Sequence, residues 1–429
     1  MDNSFTYFYS STGICTDTRN IVKDCLFICI QGDNFDGNTF ASEALKQGAS
    51  HVIVDNPKFF IENSQMTLVK NSVTYLQNLA NHHRKQFDIP VIGITGSNGK
   101  TTSKELINAV LSNKYNVLAT TGNLNNHLGV PFTLLRITKE HDIAIIEMGA
   151  NKFKDIEELC KIAEPTHGII TNIGRAHLEG FINIEGVIKT KKELYDSVEH
   201  NKGTLFINAE DDILNKILPV STKNISYGEK NDADISGELV SLSPFVEMNW
   251  KSSDYSSENL MMQMVGKYNF YNYLAAITIG KDFEVANEDI NEALVNYSPE
   301  NNRSQVVKTE KNTLILDCYN ANPTSMQSAL ESFAMNTNQN KTCILGDMKE
   351  LGVESTEEHQ KIIVLLEKLN LQAHLVGQEF SQLTSCNILH KFKDVAELNN
   401  YLQQFPLEKE LILIKGSNSI HLDKCEKYL

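Results

Sequence analysis

Short apolar runs alternate with longer amphipathic stretches over most of the chain. The runs at residues 26–30, 91–94 and 411–414 are nearly continuous in apolar residues, which is typical of strands buried on both faces of a parallel sheet. The longer stretches at residues 72–85 and 266–279 carry apolar residues at helical spacing. This alternation predicts an α/β fold with mostly parallel sheets.

Changes in this pattern predict three domains, which agrees with a length of 429 residues. Residues 1–86 form a small α/β unit, and Pro90 marks the boundary that follows it. Residues 87–297 form a central, mostly parallel sheet flanked by helices, in which the short strand-like pieces at 204–265 are expected to form an antiparallel appendage. Residues 298–429 alternate again, which predicts a smaller, Rossmann-like doubly wound domain.

Residues 91–102 combine a buried strand, a glycine-containing turn and the start of a helix. Such a turn brings backbone N–H groups and the positive end of the helix dipole onto anionic oxygens, so it predicts a phosphate site. The spacing departs from the Walker pattern, because five residues rather than four separate Gly93 from Gly99. The shorter variant that begins at Gly96 places Lys100 near the β- and γ-phosphates and the Thr101 hydroxyl near a magnesium ion.

Other candidate residues follow predicted strands, where open α/β sheets bind ligands. Glu147 ends the strand predicted at residues 142–146, at a position suited to a magnesium-binding carboxylate, although a surface glutamate is the alternative. His177 follows another strand, and a structural histidine is the alternative there. The lysines at 189, 191 and 192 fit a solvated helix face, and spacing alone does not distinguish between them.

Three strands of the last domain also end in polar segments, which begin at Asp317, Gly346 and Lys415. The first of these, with Asn320 and Asn322, could bind a ribose, a metal or an incoming amine. Because the carboxyl ends of parallel strands share one edge of a sheet, the three segments predict a common cleft facing the phosphate site.

Composition narrows the class of protein. A hydrophobic content of 41% and a net charge of −15 are those of a globular protein that does not bind nucleic acid, which would need a basic face. The N-terminus lacks a signal-peptide pattern, and no apolar run reaches the length of a membrane span. The cysteines include no C-x-x-C pair and lie mostly in apolar runs. We therefore expect a cytoplasmic protein without membrane insertion.

The motifs taken together resemble those of the Mur ligases, the ATP-dependent amide-bond-forming enzymes of peptidoglycan synthesis. Residues 93–102 (GITGSNGKTT) are similar to the ATP loop of that family. Three further segments resemble the branch that adds D-alanyl-D-alanine: residues 121–131 (TGNLNNHLGVP), 147–151 (EMGAN) and 319–323 (YNANP). The resemblance covers nearly the whole chain, with the motifs in the expected order.

This resemblance implies an activity and a set of partners. The reaction would transfer the γ-phosphoryl group of ATP to the terminal carboxylate of UDP-MurNAc-tripeptide. The amino group of D-Ala-D-Ala would then attack the acyl phosphate to give UDP-MurNAc-pentapeptide. The implied cofactors are ATP, two Mg²⁺ ions and the carbamate that CO₂ forms on Lys191. A monomer is expected.

The resemblance also implies roles for individual residues. Lys100, His177 and Lys191 would be catalytic, and Thr101, Glu147, His177 and Lys191 would bind the metal ions. The implied ATP contacts are Gly96, Ser97, Asn98, Gly99, Lys100, Thr101, Thr102, Asn269, Asn272, Arg303, Asp317, Asn320 and Asn322. The implied contacts to the UDP-linked substrate are Thr16, Asp17, Thr18, Arg19, Asn125 and Asn126.

Four residues depart from the family pattern. Asn38 and Tyr268 stand where histidines are frequent, and Lys154 and Asn302 stand where glycines are common. The main alternative function is another amide ligase of the Mur superfamily, of the single-amino-acid or folylpolyglutamate type. A nucleotide-binding regulatory protein that has lost catalysis is the alternative from a different class.

Overall fold

Three parallel-dominated sheets account for most of the architecture, in a computed structural model of the chain. The structure describes residues 3–62, 65–175, 178–181, 183–338, 340–383 and 389–429. The sheets have four, nine and six strands, and they follow one another along the sequence. This arrangement confirms the predicted α/β fold class.

The first sheet is fully parallel and has the strand order β1-β2-β5-β6. Strands β3 and β4 form a separate antiparallel hairpin. The long helix α3 leads out of this unit and packs against the central part of the chain, where the Arg84 guanidinium donates to the Ala163 carbonyl at 2.9 Å. The elements of this unit are α1 (Thr6–Tyr9), β1 (Ile14–Cys15), β2 (Leu26–Ile28), β3 (Gln31–Gly32), β4 (Phe35–Asp36), α2 (Ala41–Lys46), β5 (His51–Val54), β6 (Met66–Leu68) and α3 (Ser72–Arg84).

The central sheet has nine strands in the order β15-β14-β13-β12-β11-β10-β7-β9-β8. Its strands are β7 (Val91–Thr95), β8 (Val117–Ala119), β9 (Ile143–Glu147), β10 (His167–Ile170), β11 (Thr204–Asn208), β12 (Lys223–Gly228), β13 (Ile235–Ser241), β14 (Glu247–Lys251) and β15 (Leu260–Met261). Its helices are α4 (Lys100–Leu111), α5 (Gly129–Leu134), α6 (Asp155–Ala163), α7 (Leu178–Phe181), α8 (Ile184–His200), α9 (Asp212–Ile217), α10 (Lys267–Asp282) and α11 (Asn287–Asn296).

The antiparallel part of this sheet is smaller than the sequence predicts. Strands β11 and β12 continue the parallel ladder, and β13 joins β12 in parallel. Only the pairs β13–β14 and β14–β15 are antiparallel. Strand β11 is buried along its whole length, as an interior strand of a parallel sheet is. The polar spacers between these strands gave the sequence the pattern of short antiparallel strands instead.

Two apolar layers cover the central sheet, one on each face. Helices α4 and α10 bring Leu106, Ile107 and Leu274 into the layer on one face. Helices α6 and α8 bring Leu159 and Leu194 into the layer on the opposite face. With helices on both faces, the interior strands β7, β9 and β11 are buried along their whole length. The loops at their carboxyl ends are where a ligand can bind.

The third sheet has the order β16-β17-β21-β18-β19-β20, in which only the edge pair β16–β17 is antiparallel. It is the smaller doubly wound unit that the sequence predicts. Its elements are β16 (Gln305–Lys308), β17 (Thr313–Asp317), α12 (Pro323–Met335), β18 (Lys341–Gly346), α13 (Ser355–Lys368), β19 (Gln372–Val376), α14 (Gln378–Gln382), β20 (Leu389–Phe392), α15 (Val395–Gln404) and β21 (Leu411–Lys415).

None of the helices in the described ranges combines the length and the apolar character that crossing a membrane requires.

The single tryptophan of the chain, Trp250, tests whether β14 is an integral part of the central core. Its side chain is fully buried, and its indole N–H donates to Asn291 Oδ1 at 2.7 Å. We expect Trp250→Ala to lower the free energy of unfolding by about 3–5 kcal/mol, because it removes a large buried ring and leaves a cavity. Guanidinium unfolding followed by circular dichroism measures this change.

The matched control is Val220→Ala, because Val220 is fully exposed. That variant should change the free energy of unfolding by less than about 0.5 kcal/mol. Equal midpoints for Trp250→Ala and Val220→Ala would contradict the packing of β14 against the core.

Candidate functional site

A cavity of about 930 Å³ opens between the central and third sheets. The loop after β7, the end of β9 and the start of α10 form its wall on the central side. Residues after β17 and the exposed face of α12 form its wall on the side of the third sheet. The cavity thus lies at the carboxyl ends of parallel strands, where α/β sheets bind ligands.

The loop between β7 and α4 has a backbone shape that requires glycine at two positions. Gly96 has φ of +151° and Gly99 has φ of +79°. A Cβ atom on Gly96 would lie 1.9 Å from Thr171 Oγ1, and one on Gly99 would lie 2.9 Å from Asn272 Oδ1. Both the dihedral angles and the close neighbours exclude a larger residue.

Asn172 clamps this loop from the neighbouring strand β10. Its carbonyl accepts from the Ser97 N–H at 3.0 Å, and its Oδ1 accepts from the Asn98 N–H at 3.0 Å. Its Nδ2 donates to the Asn98 carbonyl at 3.0 Å. The loop therefore has a fixed shape, and the N–H groups that a helix start leaves unpaired remain as the donors for an anion.

The Lys100 side chain folds back over the loop that precedes it. Its ammonium donates to the Gly96 carbonyl at 2.7 Å and lies 3.4 Å from the Ser97 carbonyl. Burial lowers the pKa of Lys100, the Arg303 charge lowers it further, and the Glu147 carboxylate acts in the opposite direction. This places a cation beside the predicted phosphate position.

Glu147 is the last residue of β9, and its carboxylate is almost completely buried, with 1% of the residue exposed. Its Oε1 accepts from Asn125 Nδ2 at 2.7 Å. Its Oε2 is buried and has no hydrogen-bond partner among the described residues. A buried carboxylate oxygen without a partner is costly, and a bound cation is the kind of group that would satisfy it.

Burial singles out one lysine of helix α8. Lys191 is 2% exposed, whereas Lys189 is exposed and Lys192 is partly exposed. The Lys191 ammonium donates to Thr95 Oγ1 at 3.3 Å. Burial holds the pKa of Lys191 well below its ordinary value, and repulsion from Lys100 adds to this effect. The charges of Asp155, Glu193 and Glu147 partly oppose it.

Lys100, Glu147 and Lys191 lie close enough for their charges to interact, although they come from a helix start, a strand end and a distant helix. His177, predicted to join them, lies outside the described residues. Within the described ranges, no group of three or more His, Cys, Asp or Glu side chains is placed to hold a metal ion. Any metal site built on Glu147 must therefore draw on other kinds of ligand or on residues outside those ranges.

The third sheet contributes an ion pair and a stacked arginine to the cavity. Lys415 Nζ donates to Asp317 Oδ2 at 2.6 Å, and the Ser304 N–H donates to Asp317 Oδ1 at 3.2 Å. The Arg303 guanidinium lies 3.7 Å from the centre of the Tyr319 ring. These contacts order the polar residues that follow β17.

An amide pair joins the phosphate loop to the third sheet. Asn322 Nδ2 donates to Asn98 Oδ1 at 2.7 Å. Asn322 also begins helix α12, where its side chain and Ser325 form a capping box. The start of α12 is thereby fixed against the loop that leads into α4.

Two asparagines of helix α10 line the cavity on the central side. Asn272 Nδ2 donates to Asn269 Oδ1 at 3.0 Å, and Ser103 Oγ donates to Asn272 Oδ1 at 3.1 Å. Both asparagines are buried. Since they connect α10 to α4 next to Gly99, they lie beside the predicted phosphate position.

Most of the residues predicted to contact ATP line this one cavity. The lining includes Ser97, Asn98, Gly99, Lys100, Thr101, Thr102, Asn125, Asn126, Glu147, Asn269, Asn272, Arg303, Asp317, Asn320 and Asn322. Gly96 and Lys191 are not part of the lining. The Gly96 carbonyl accepts from Lys100, and the Lys191 ammonium donates to the neighbouring residue Thr95. The Asn126 side chain caps the start of α5 through Oδ1.

The segment Thr16, Asp17, Thr18 and Arg19 does not line the cavity. It follows β1, at the carboxyl edge of the first sheet. Arg19 forms an ion pair with Asp17 at 2.7 Å and has 86% of its side chain exposed. The hydrogen bonds from Arg19 lower the pKa of Asp17 to about 2.

The common cleft predicted for the third domain is only partly present. Asp317 and Lys415 line the cavity, but the segment after Gly346 does not. Asp347 is fully buried and accepts from the N–H groups of Glu379 and Phe380. It therefore holds the start of α14 in place, which is a structural role.

Asn172 is the residue that sequence reasoning missed. It follows β10 within the same segment as His177, so its position at a strand end was a signal. What singles it out is the three-way hydrogen bonding to residues 97 and 98, and only the tertiary structure shows that β10 lies next to β7.

Comparison with protein-family models gives three matches along the chain. Residues 10–94 match the Mur ligase family, catalytic domain. Residues 94–280 match the Mur ligase middle domain. Residues 302–418 match the Mur ligase, glutamate ligase domain.

Individual relatives agree with these matches. The UDP-N-acetylmuramoyl-tripeptide–D-alanyl-D-alanine ligase of Bacillus subtilis is 31% identical over 97% of this chain and 93% of its own length. The MurF crystal structure from Acinetobacter baumannii is 31% identical and superposes with a TM-score of 0.87, covering 96% of this chain and 92% of that one.

A third relative shows the fold alone. The MurF ligase of Thermotoga maritima, in complex with ADP, is 24% identical and has a TM-score of 0.88. That comparison covers 100% of this chain and 98% of the other. On the strength of the family matches and the relatives at 31% identity, the chain belongs to the Mur ligase family.

Proposed function

We propose that this chain is an ATP-dependent ligase that joins D-alanyl-D-alanine to UDP-MurNAc-tripeptide and so makes UDP-MurNAc-pentapeptide for peptidoglycan synthesis. The observation that carries the proposal is the meeting of Lys100, Glu147 and Lys191 beside one cavity. This occurs in a chain that is similar over 97% of its length to a ligase of that name.

ATP would place its phosphates on the loop formed by Gly96, Ser97, Asn98 and Gly99 and on the N-terminus of α4. Lys100, Thr101 and Thr102 begin that helix, so its unpaired N–H groups and dipole favour a polyphosphate. Asn269 and Asn272 would contact the nucleotide from α10. Arg303, Asp317, Asn320 and Asn322 would contact it from the third sheet. Apart from Gly96, these residues line one cavity, which supports the assignment.

Thr101 at the start of α4 and Glu147 at the end of β9 fit a magnesium ion. Thr101 supplies a buried hydroxyl, and Glu147 supplies a carboxylate oxygen that lacks any other partner within the described ranges. Hard oxygen ligands of this kind are those that Mg²⁺ prefers. Bound there, Mg²⁺ would neutralise charge on the phosphate oxygens. A second ion would use His177 and the carbamate of Lys191.

Lys191 fits a carbamate because it is buried and its pKa is depressed. A neutral amine attacks CO₂, a C–N bond forms, and one proton leaves, so that Lys–NH₂ becomes Lys–NH–COO⁻. The product places an anion next to the Lys100 ammonium, which pairs opposite charges at a buried site. The carboxylate-like oxygens would be metal ligands.

The chain's own residues would act on the two substrates in sequence. The terminal carboxylate of the tripeptide attacks the γ-phosphorus, the bond to the bridging oxygen breaks, and ADP leaves. Lys100 stabilises the charge on the transferred group throughout. The amine of D-Ala-D-Ala then attacks the acyl carbon, the bond from that carbon to the phosphate oxygen breaks, and phosphate and one proton from the nitrogen leave. The contact between Asn98 and Asn322 holds the third sheet over the loop and helps to exclude water from the acyl phosphate.

The remaining assignments are also proposals. Thr16, Asp17, Thr18 and Arg19 would bind the UDP end of the substrate, with Asn125 and Asn126 near its phosphates. The domains would span residues 1–86, 87–297 and 298–429, and the enzyme would work as a cytoplasmic monomer. The location is supported by seven cysteines that are free and buried in the described ranges, as expected in a reducing compartment.

The relatives at about 31% identity do not favour the alternative of a single-amino-acid or folylpolyglutamate ligase, because they carry the dipeptide ligase name. The buried carboxylate and lysine likewise argue against a regulatory protein without catalysis. Such a protein would have no need for a cluster of buried charges that is costly to fold.

The substrate assay tests the proposal directly. We expect magnesium-dependent release of phosphate from ATP only when UDP-MurNAc-tripeptide and D-Ala-D-Ala are both present. With D-alanine or L-glutamate alone, kcat/KM should be at least about 100-fold lower than with the dipeptide. A site that forms hydrogen bonds to both residues of a dipeptide leaves some of its polar groups unpaired when a single amino acid binds. Turnover with a single amino acid and none with the dipeptide would make the alternative ligase correct.

Lys191 is the residue whose removal tests the proposed carbamate. We expect Lys191→Ala to lose at least about 100-fold in kcat, because a charge-stabilising ligand at the phosphate site is lost, and to regain part of it with added formate or acetate. Lys192→Ala is the matched control, since Lys192 lies next in sequence but pairs with Asp196 near the surface. Its activity should be unchanged.

Wild-type activity in Lys191→Ala would contradict the assignment.

Because the pKa of Lys191 is lowered, its amine is neutral at a lower pH than that of an ordinary lysine. Bicarbonate should therefore reactivate CO₂-depleted enzyme well below the ordinary lysine pKa of about 10.4, and removal of CO₂ should leave Lys192 variants and wild type equally inactive.

A further inference from the structure

Lys104 is a buried charged residue to which the proposed mechanism gives no role. It lies one helical turn after Lys100 on the buried face of α4, and its side chain is only 1% exposed. Its ammonium donates to the Thr120 carbonyl at 2.6 Å and pairs with Glu105 Oε1 at 2.8 Å. A fully buried lysine is rare and costly, so its contact with Thr120 calls for a physical explanation.

The parallel ladder between β8 and β9 is altered at the residue that Lys104 contacts. In a regular parallel ladder, one residue makes two hydrogen bonds to the neighbouring strand. Its N–H donates to a carbonyl of that strand, and its own carbonyl accepts from the N–H of the residue two positions later on the same strand. The Thr120 N–H does donate to the Ile145 carbonyl at 3.0 Å. The Glu147 N–H, however, donates to Thr120 Oγ1 at 3.0 Å instead of to the Thr120 carbonyl.

The Thr120 hydroxyl therefore accepts the hydrogen bond that its carbonyl would accept in a regular ladder. The Thr120 carbonyl accepts from Lys104 instead. At this point the chain leaves the sheet and enters the loop at residues 121–126. That loop returns to Glu147, where Asn125 Nδ2 donates to Oε1 at 2.7 Å and the Asn125 carbonyl accepts from the Gly149 N–H at 2.7 Å. Lys104 thus holds the residue that precedes a loop whose far end holds the Glu147 carboxylate.

We propose that Lys104 is a positioning residue: by holding the Thr120 carbonyl out of the ladder, it sets the path of the loop that presents Asn125 to Glu147, and so aims the carboxylate of Glu147 into the cavity. This inference rests on the proposed role of Glu147 in binding Mg²⁺. Lys104 itself contacts neither the nucleotide loop nor the cavity, since it does not line it.

The test is the Mg²⁺ requirement for binding of a non-hydrolysable ATP analogue to the full chain, measured by titration calorimetry. The variant Lys104→Met keeps most of the length of the side chain but donates no hydrogen bond. In it we expect the half-saturating Mg²⁺ concentration to rise about tenfold, the usual effect of removing a group that orients a metal ligand. Binding of the analogue in EDTA should be unchanged, because the phosphate loop is intact.

Three variants separate positioning from a purely structural role. Glu105→Gln removes the ion pair but keeps the contact to Thr120, so its Mg²⁺ requirement should equal that of wild type. Lys104→Arg keeps a donor and should restore part of the affinity. Thr120→Val removes the hydroxyl that accepts from Glu147, and it should raise the requirement in the same direction as Lys104→Met. The double variant with Lys104→Met and Thr120→Val should have a Mg²⁺ requirement no higher than that of the more severe single variant.

A lower thermal midpoint for Lys104→Met with an unchanged Mg²⁺ requirement would overturn the proposal. If Lys104→Met does not fold, an unchanged requirement in Thr120→Val would overturn it. Glu147→Gln separates this inference from the proposed function. A raised requirement in Glu147→Gln but not in the Lys104 and Thr120 variants overturns only the role of Lys104. An unchanged requirement in all of them overturns the metal assignment of Glu147 as well.

Discussion

The buried carboxylate of Glu147 is the constraint on which the rest of the site depends. A charge at the end of a central strand is costly unless neighbouring groups compensate it. Asn125 pairs with one oxygen, and the Lys100 ammonium lies nearby. The other oxygen is left for a ligand. The position of β9 between β7 and β8 brings all these groups to the same point.

Hydrogen bonds between neighbouring strands keep the phosphate loop in one shape. Asn172 fixes residues 97 and 98 from β10, while Asn272 leaves no room for a side chain at Gly99. A loop that is already shaped for an anion does not have to be ordered when the nucleotide arrives, which favours both binding and catalysis. Because the loop is rigid, the contact between Asn98 and Asn322 also fixes the start of helix α12 relative to the loop.

The prediction from sequence was most successful for elements whose signal is local. Continuous apolar runs such as the one at β21 identified the interior strands, with boundaries within one or two residues. The glycines and lysine at residues 96–100 identified the phosphate loop, because only a few backbone shapes bring N–H groups onto an anion. The parallel pairing of β11 and β12 was missed, since the choice of strand partner depends on distant residues rather than on local pattern.

The sequence by itself determined the α/β class, the phosphate loop and, through its motifs, the resemblance to the Mur ligases. Only the tertiary structure decided which lysine of α8 is buried, that Asp347 is structural, and that Asn172 and Lys104 serve the site. The physical reason is the same in each case. Burial and hydrogen-bond partners come from strands that are far apart in the chain, so the role of a charged or amide side chain is set by its neighbours after folding and not by its spacing in the sequence.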